Sequence, residues 1–195
     1  MDEARFLSLA LANDINRAIL DRLPELSLPD TWLVSGSLFQ AVWNALTGRA
    51  PDYGIKDYDI FYFDPDTSWE AEDRAIARAR ALFAPLGIEV ELRNQARVHL
   101  WYPEKFGMPY PPLSCATDGI DRFLAPACMV GVQVAGGGLR TYAPFGFGDI
   151  ATMTIRPNPV ANFNAGRLAE KAARWKEKWP ELTIVESGQA ALSRS

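Results

Sequence analysis

The stretch IKDYDIFYFD, residues 55–64, sets Asp57 and Asp59 one residue apart at the start of an otherwise apolar run. Ile60, Phe61, Tyr62 and Phe63 continue that run with apolar side chains on both sides, which predicts a central strand covered on both faces. Residues two apart on a strand share a face, so the two carboxylates project together, roughly 6.5–7 Å apart at the backbone. Two ionised carboxylates this close repel each other and are costly to desolvate, so a site that keeps both charged normally holds a cation. Oxygen ligands of this kind suit Mg²⁺, or Mn²⁺ in its place, with waters and phosphate oxygens completing the shell. The spacing therefore predicts a metal-phosphate site.

About twenty residues upstream lies VSGSLFQAVWN. The apolar piece TWLV reads as a strand running into Ser-Gly-Ser, and Leu38, Val42, Trp43 and Leu46 give the stripe of a helix that ends at Gly48. A strand-to-helix junction of this type offers backbone N–H groups, a positive helix terminus and the Ser37 hydroxyl, all favourable to phosphate. Gly36 lets the chain approach a ligand closely.

The remaining chain alternates helices and strands. An apolar stripe over residues 2–23 predicts one amphipathic helix, and Thr67 or Ser68 predicts the cap of a second that stops near Gly87. IEVELRN alternates apolar and charged residues, pointing Ile88, Val90 and Leu92 inward. ARVHLWY reads as a further strand, paired with it as a hairpin, followed by a proline-rich loop over 103–112. A short helix around DGIDRFL precedes MVGVQV and LRTYAP, which read as a hairpin turned at Gly136–Gly138. Residues 162–182 read as a helix with late Lys and Arg, and SGQAALSRS as a frayed end. One unit is expected over 1–195: an N-terminal helix (1–30), a catalytic core (31–102) and an extension with hairpin and helix (103–187).

Composition narrows the function classes. A net charge of −4 argues against an unselective grip on duplex nucleic acid, which needs clustered Lys and Arg. Two cysteines, Cys115 and Cys128, with one histidine, His99, cannot build a thiolate or histidine metal centre. No apolar run reaches the ~20 residues needed to span a bilayer, and the acidic start is unlike a signal peptide, so a cytoplasmic protein without a membrane partner is expected.

Gly-Ser, a helix and then an apolar-flanked Asp-Tyr-Asp resembles the minimal nucleotidyltransferase domain of the polymerase beta superfamily. RNQARVHLWY and the later RPNP are similar to segments of its bacterial nucleotidyltransferase-like branch and extend the resemblance over most of the chain. The spacer between Ser37 and Asp57 is longer than in the simplest members, by the inserted TGRAPDYGIK. The resemblance implies an α+β fold, with a central mixed sheet and helices packed mainly on one face. It also implies transfer of a nucleoside monophosphate from a nucleoside triphosphate to a hydroxyl acceptor, with release of pyrophosphate. On it, Asp57 and Asp59 hold the divalent ions, Gly36 and Ser37 grip the terminal phosphates, and a third carboxylate completes the metal site or serves the acceptor. Glu89 and Glu91 are both candidates for that carboxylate; Glu91, beside Arg93, is preferred. Lys56, Arg93 and Arg97 could neutralise phosphate charge. Trp101, Tyr102, Phe106 and Tyr110 could stack on a base or an aromatic acceptor. The rival reading is a non-catalytic nucleotide-binding or regulatory module, or the nucleotidyltransferase partner of a toxin–antitoxin pair. A DxD phosphohydrolase is a third, but the further motifs it needs are missing.

Overall fold

The computed structural model describes residues 1–159 and 164–185. Its centre is a mixed five-stranded sheet in the order β3-β2-β1-β4-β5. Strand β1 (Trp32–Val34) runs antiparallel to both β2 (Asp57–Tyr62) and β4 (Gly131–Ala135), while β2 and β3 (Glu89–Asn94) are parallel. That parallel pair needs a crossover, supplied by the helix α4 (Trp69–Phe83), whose N-terminus Ser68 caps by accepting the Ala71 N–H. The expected hairpin of β4 and β5 (Gly138–Tyr142) turns through Gly136 and Gly137, at φ 59° and 77°, the left-handed pair that a tight two-residue hairpin demands. The hairpin is no appendage: β4 pairs directly with β1.

Two expectations are corrected. The N-terminal stripe is divided between α1 (Glu3–Ala10) and α2 (Asp14–Arg22), because the Asn13 side chain accepts the Ile15 and Asn16 N–H groups and starts a new helix. The hairpin expected between IEVELRN and ARVHLWY does not form. Asn94 accepts the N–H groups of Ala96 and Asp64, and the chain passes through a tight turn at Gln95–Arg97 into the helix α5 (Val98–Phe106). That helix runs through Pro103 and stops at Gly107, so the first part of the expected proline loop is helical. His99, in the segment ARVHLWY read as a strand, accordingly lies on a helix.

Helices α3 (Gly36–Leu46), α6 (Ala116–Ile120), α7 (Gly148–Ala151) and α8 (Ala165–Lys178) complete the helical part, with a short parallel pair, β6 (Thr154–Ile155) and β7 (Thr183–Ile184). The expected frayed end, 187–195, lies outside the described residues. No helix among the described residues is long and apolar enough to cross a membrane.

Register divides the sheet into two chemically distinct faces. Leu92, Ile60, Leu33 and Val132 stand in one cross-strand row, each 2% exposed or less, and join the main core with residues of α1, α2 and α4. The adjacent row, on the other face, reads Glu91, Asp59, Val34, Gly131 and Tyr142. Its apolar half is covered by Ala116 and Ile120 of α6. Its acidic half opens into a cavity.

Candidate active site

Strand alternation places Asp57, Asp59 and Phe61 on the cavity side of β2, and Tyr58, Ile60 and Tyr62 in the core. Parallel register then sets Glu91 of β3 beside Asp59, and Glu89 beside Asp57. Of those two glutamates, Glu91 lines the cavity and Glu89 does not. Burial, followed by the charges of Asp57 and Glu91, pushes the Asp59 carboxyl up to about 7; Lys171 and Arg93 act in the opposite direction. Neither Asp57 nor Asp59 makes an ion pair with a described residue, whereas Glu91 lies 3.7 Å from Arg93. Among the described residues, no three His, Cys, Asp or Glu side chains are arranged to hold a metal by themselves. The crowded aspartates fit a hard cation that takes further oxygens from water and phosphate.

The cavity, about 620 Å³, is bounded on the α3 side by Ser35 and Gly36. Ser35 turns the chain from β1 into α3 with φ 57° and ψ −114°, held by its N–H donating to the Val130 carbonyl at 2.8 Å. A non-glycine residue in that conformation carries strain of about 1–3 kcal/mol, a feature that recurs where backbone is bent around ligands. Ser37 behaves otherwise than expected. It is the second residue of α3, fully buried, and its hydroxyl has no hydrogen-bond partner and does not line the cavity.

Lys56 and Arg93 line the cavity, but Arg97 does not. Its guanidinium is buried in an ion pair with Glu72 and lies 5.1 Å from the Trp69 ring centroid. The Glu72 carboxylate also accepts the Asn94 N–H at 2.9 Å, so this pair fastens the end of β3 to α4. Trp101, Tyr102 and Phe106 of α5 and Tyr110 beyond its end all line the cavity. His99 is not on the lining.

The residues overlooked in the sequence belong mainly to α8. Arg167, Lys171, Arg174 and Lys178 line the cavity at intervals of four, three and four, which is one helical face. One step along, Leu168, Ala172, Trp175 and Trp179 form the apolar stripe that seats the helix. Trp43 anchors it, with Trp175 and Trp179 at ring-centroid distances of 6.1 and 5.5 Å. Lys178 donates to the Gly54 carbonyl at 2.7 Å, and its ammonium pKa is lowered by burial and by the neighbouring Lys56 and Arg174, despite Asp57. Three cations crowded in this way are a ready receptor for a polyanion.

The cavity therefore opposes a carboxylate pair to a basic helix face, with a helix N-terminus at its edge. A family model described as nucleotidyltransferase matches residues 21–184. A solved NMR structure, described as revealing a CCA-adding enzyme head domain, is similar over 88% of this chain and 89% of that one, at 27% identity and a TM-score of 0.71. No curated protein matches. With the family model spanning most of the chain, and the chain similar in structure to that head domain, the protein belongs to the nucleotidyltransferase family.

Proposed function

We propose that this nucleotidyltransferase moves a nucleoside monophosphate from a nucleoside triphosphate to a hydroxyl acceptor and depends on a divalent cation. The observation that carries the reading is the opposition, across one cavity, of unpaired Asp57 and Asp59 to the face of Lys171, Arg174 and Lys178. Asp57 and Asp59 would hold Mg²⁺ or Mn²⁺, which when bound offsets charge on the phosphates. Lys56, Lys171, Arg174 and Lys178 draw in the triphosphate, and the backbone at Gly36, at the N-terminus of α3, orients it. The acceptor oxygen forms a bond to the α-phosphorus as the bond to the bridging oxygen breaks, and pyrophosphate leaves. Glu91, level with Asp59 on the neighbouring strand, takes the proton of the acceptor hydroxyl, and Arg93 counters charge at the reacting phosphate. The Ser37 hydroxyl, buried away from the cavity, takes no part in holding the triphosphate.

Wild type and Asp59→Ala, incubated with labelled triphosphates, Mg²⁺ or Mn²⁺ and a panel of hydroxyl acceptors, test this reading by pyrophosphate release. Wild type is expected to release pyrophosphate with at least one acceptor, and the variant to lose that release by ~10²–10³-fold or more. Metal-triphosphate binding without turnover on every acceptor would instead favour the regulatory module.

A further inference from the structure

Beyond the carboxylates, the cavity continues toward a second group of cations. Arg167 lies one turn before Lys171 on α8, ~6 Å along the helix, and its guanidinium stands 4.1 Å from the Phe106 ring centroid. Arg122, which follows α6, stands 5.0 Å from the Tyr110 centroid. Tyr102 links those two rings, at 4.6 Å from Phe106 and 4.5 Å from Tyr110. Two guanidiniums are thus pinned on one aromatic cluster.

The pinning decides what the cluster offers a ligand. The rings lie under arginines, so a base has little free face to stack on there, while the guanidinium edges present planar donor forks suited to phosphate. Neither arginine makes an ion pair with a described residue, and the Arg122 Nε is buried without a hydrogen-bond partner. The described lining carries seven basic side chains against four acidic ones, in a chain whose net charge is −4. A triphosphate held by Lys56, Lys171, Arg174 and Lys178 leaves Arg122 and Arg167 without an ion-pair partner among the described residues, with only the Asp121 carboxylate, already hydrogen-bonded by the Tyr142 hydroxyl, acting electrostatically on Arg122.

We propose that Arg122 and Arg167 form a second anion subsite that takes a phosphate group on a small, hydroxyl-bearing acceptor. The assignment of that anion to the acceptor rests on the nucleotidyl-transfer reading above; the subsite itself does not. A polycationic acceptor, such as an aminoglycoside, would meet repulsion at this end of the cavity.

Calorimetric titration with ribose 5-phosphate and with ribose tests the subsite, with and without Mg²⁺ and an ATP analogue carrying a methylene between its α- and β-phosphorus. Ribose 5-phosphate is expected to bind and ribose not to, in both conditions. Arg122→Gln/Arg167→Gln should weaken ribose 5-phosphate at least tenfold while leaving analogue affinity within twofold. Arg167→Gln alone, on a half-exposed position, should weaken it at least threefold in a protein with unchanged melting. Equal affinity for ribose and its phosphate, or no loss in either variant, overturns the subsite. Equal loss of analogue and ribose 5-phosphate also overturns it, by placing both arginines in the nucleotide site. If wild type binds ribose 5-phosphate through these arginines but no metal-nucleotide, the subsite stands and the nucleotidyl-transfer reading falls. In turnover with labelled ATP, preference for an aminoglycoside or an RNA 3′ end over every phosphate-bearing small molecule overturns the assignment to the acceptor.

Discussion

Asp59 reports the balance of charge in the site through its own proton. Its folded carboxyl is raised from an ordinary 3.8 to about 7, first by burial and then by Asp57 and Glu91. Between those values the folded protein holds a proton that the unfolded chain has released, so its stability is greatest at the acid end and declines as pH rises through that window. For the metal-free protein the decline between pH 4 and pH 7 should be on the order of 2 kcal/mol, moderated because the side chain keeps some contact with solvent. Urea unfolding at a series of pH values checks it, with Asp59→Asn flattening the slope. A slope unchanged in that variant would mean that another group carries the titration. The aspartate pair was legible in the sequence because residues two apart share a strand face whatever the rest of the fold does. Ser37 was misjudged for a similarly local reason: Ser35 takes the bend at φ 57°, leaving Ser37 already inside the helix.

Helix α8 was legible as an element but not as a wall of the site. Its late Lys and Arg fit the helix dipole equally well, and only its packing, Trp175 and Trp179 against Trp43, turns the face of Arg167, Lys171, Arg174 and Lys178 toward the carboxylates. The adjacent basic and apolar stripes are the signal that could have found it, since a helix seated by one stripe aims its neighbour at whatever lies beside the seat. Segment α5 failed in the opposite sense. Its mix of β-branched and aromatic residues suits a strand, but β3 already pairs with β2 and Asn94 starts a helical turn, so tertiary pairing outweighed propensity. For α8, Lys171→Gln and Arg174→Gln should each raise the KM for the triphosphate about tenfold, with melting temperature nearly unchanged because these side chains face the cavity. Steady-state kinetics at varied triphosphate, alongside thermal melts, separates this from a structural effect: a parallel fall in melting would assign the residues to packing.

At the scale of the molecule, one sheet joins the segment 31–102 to the segment 103–187, the two parts of the single unit expected over 1–195. Strand β1 is three residues long, and its far edge is satisfied by β4. Trp32 and Val34 are buried against Ala116, Ile120 and Met129, all from the later segment. The inserted loop before β2 is held from both sides: Asn44 donates to the Pro51 and Tyr53 carbonyls, and accepts from the Trp179 indole at 2.8 Å. A fragment of residues 1–102 would expose the β4-facing edge of β1 together with Trp32 and Trp43, losing backbone pairing and a large apolar area at once. Such a fragment is expected to lack a cooperative urea transition. The full chain should unfold in one step, coincident by tryptophan fluorescence and far-UV circular dichroism. Trp179→Ala should lower its stability by about 3–5 kcal/mol, since it empties a large buried volume and strands the Asn44 carbonyl. Two separated transitions in the full chain, or a folded 1–102 fragment, would overturn the single unit expected over 1–195, and α8 would then be a wall added to a core that folds without it.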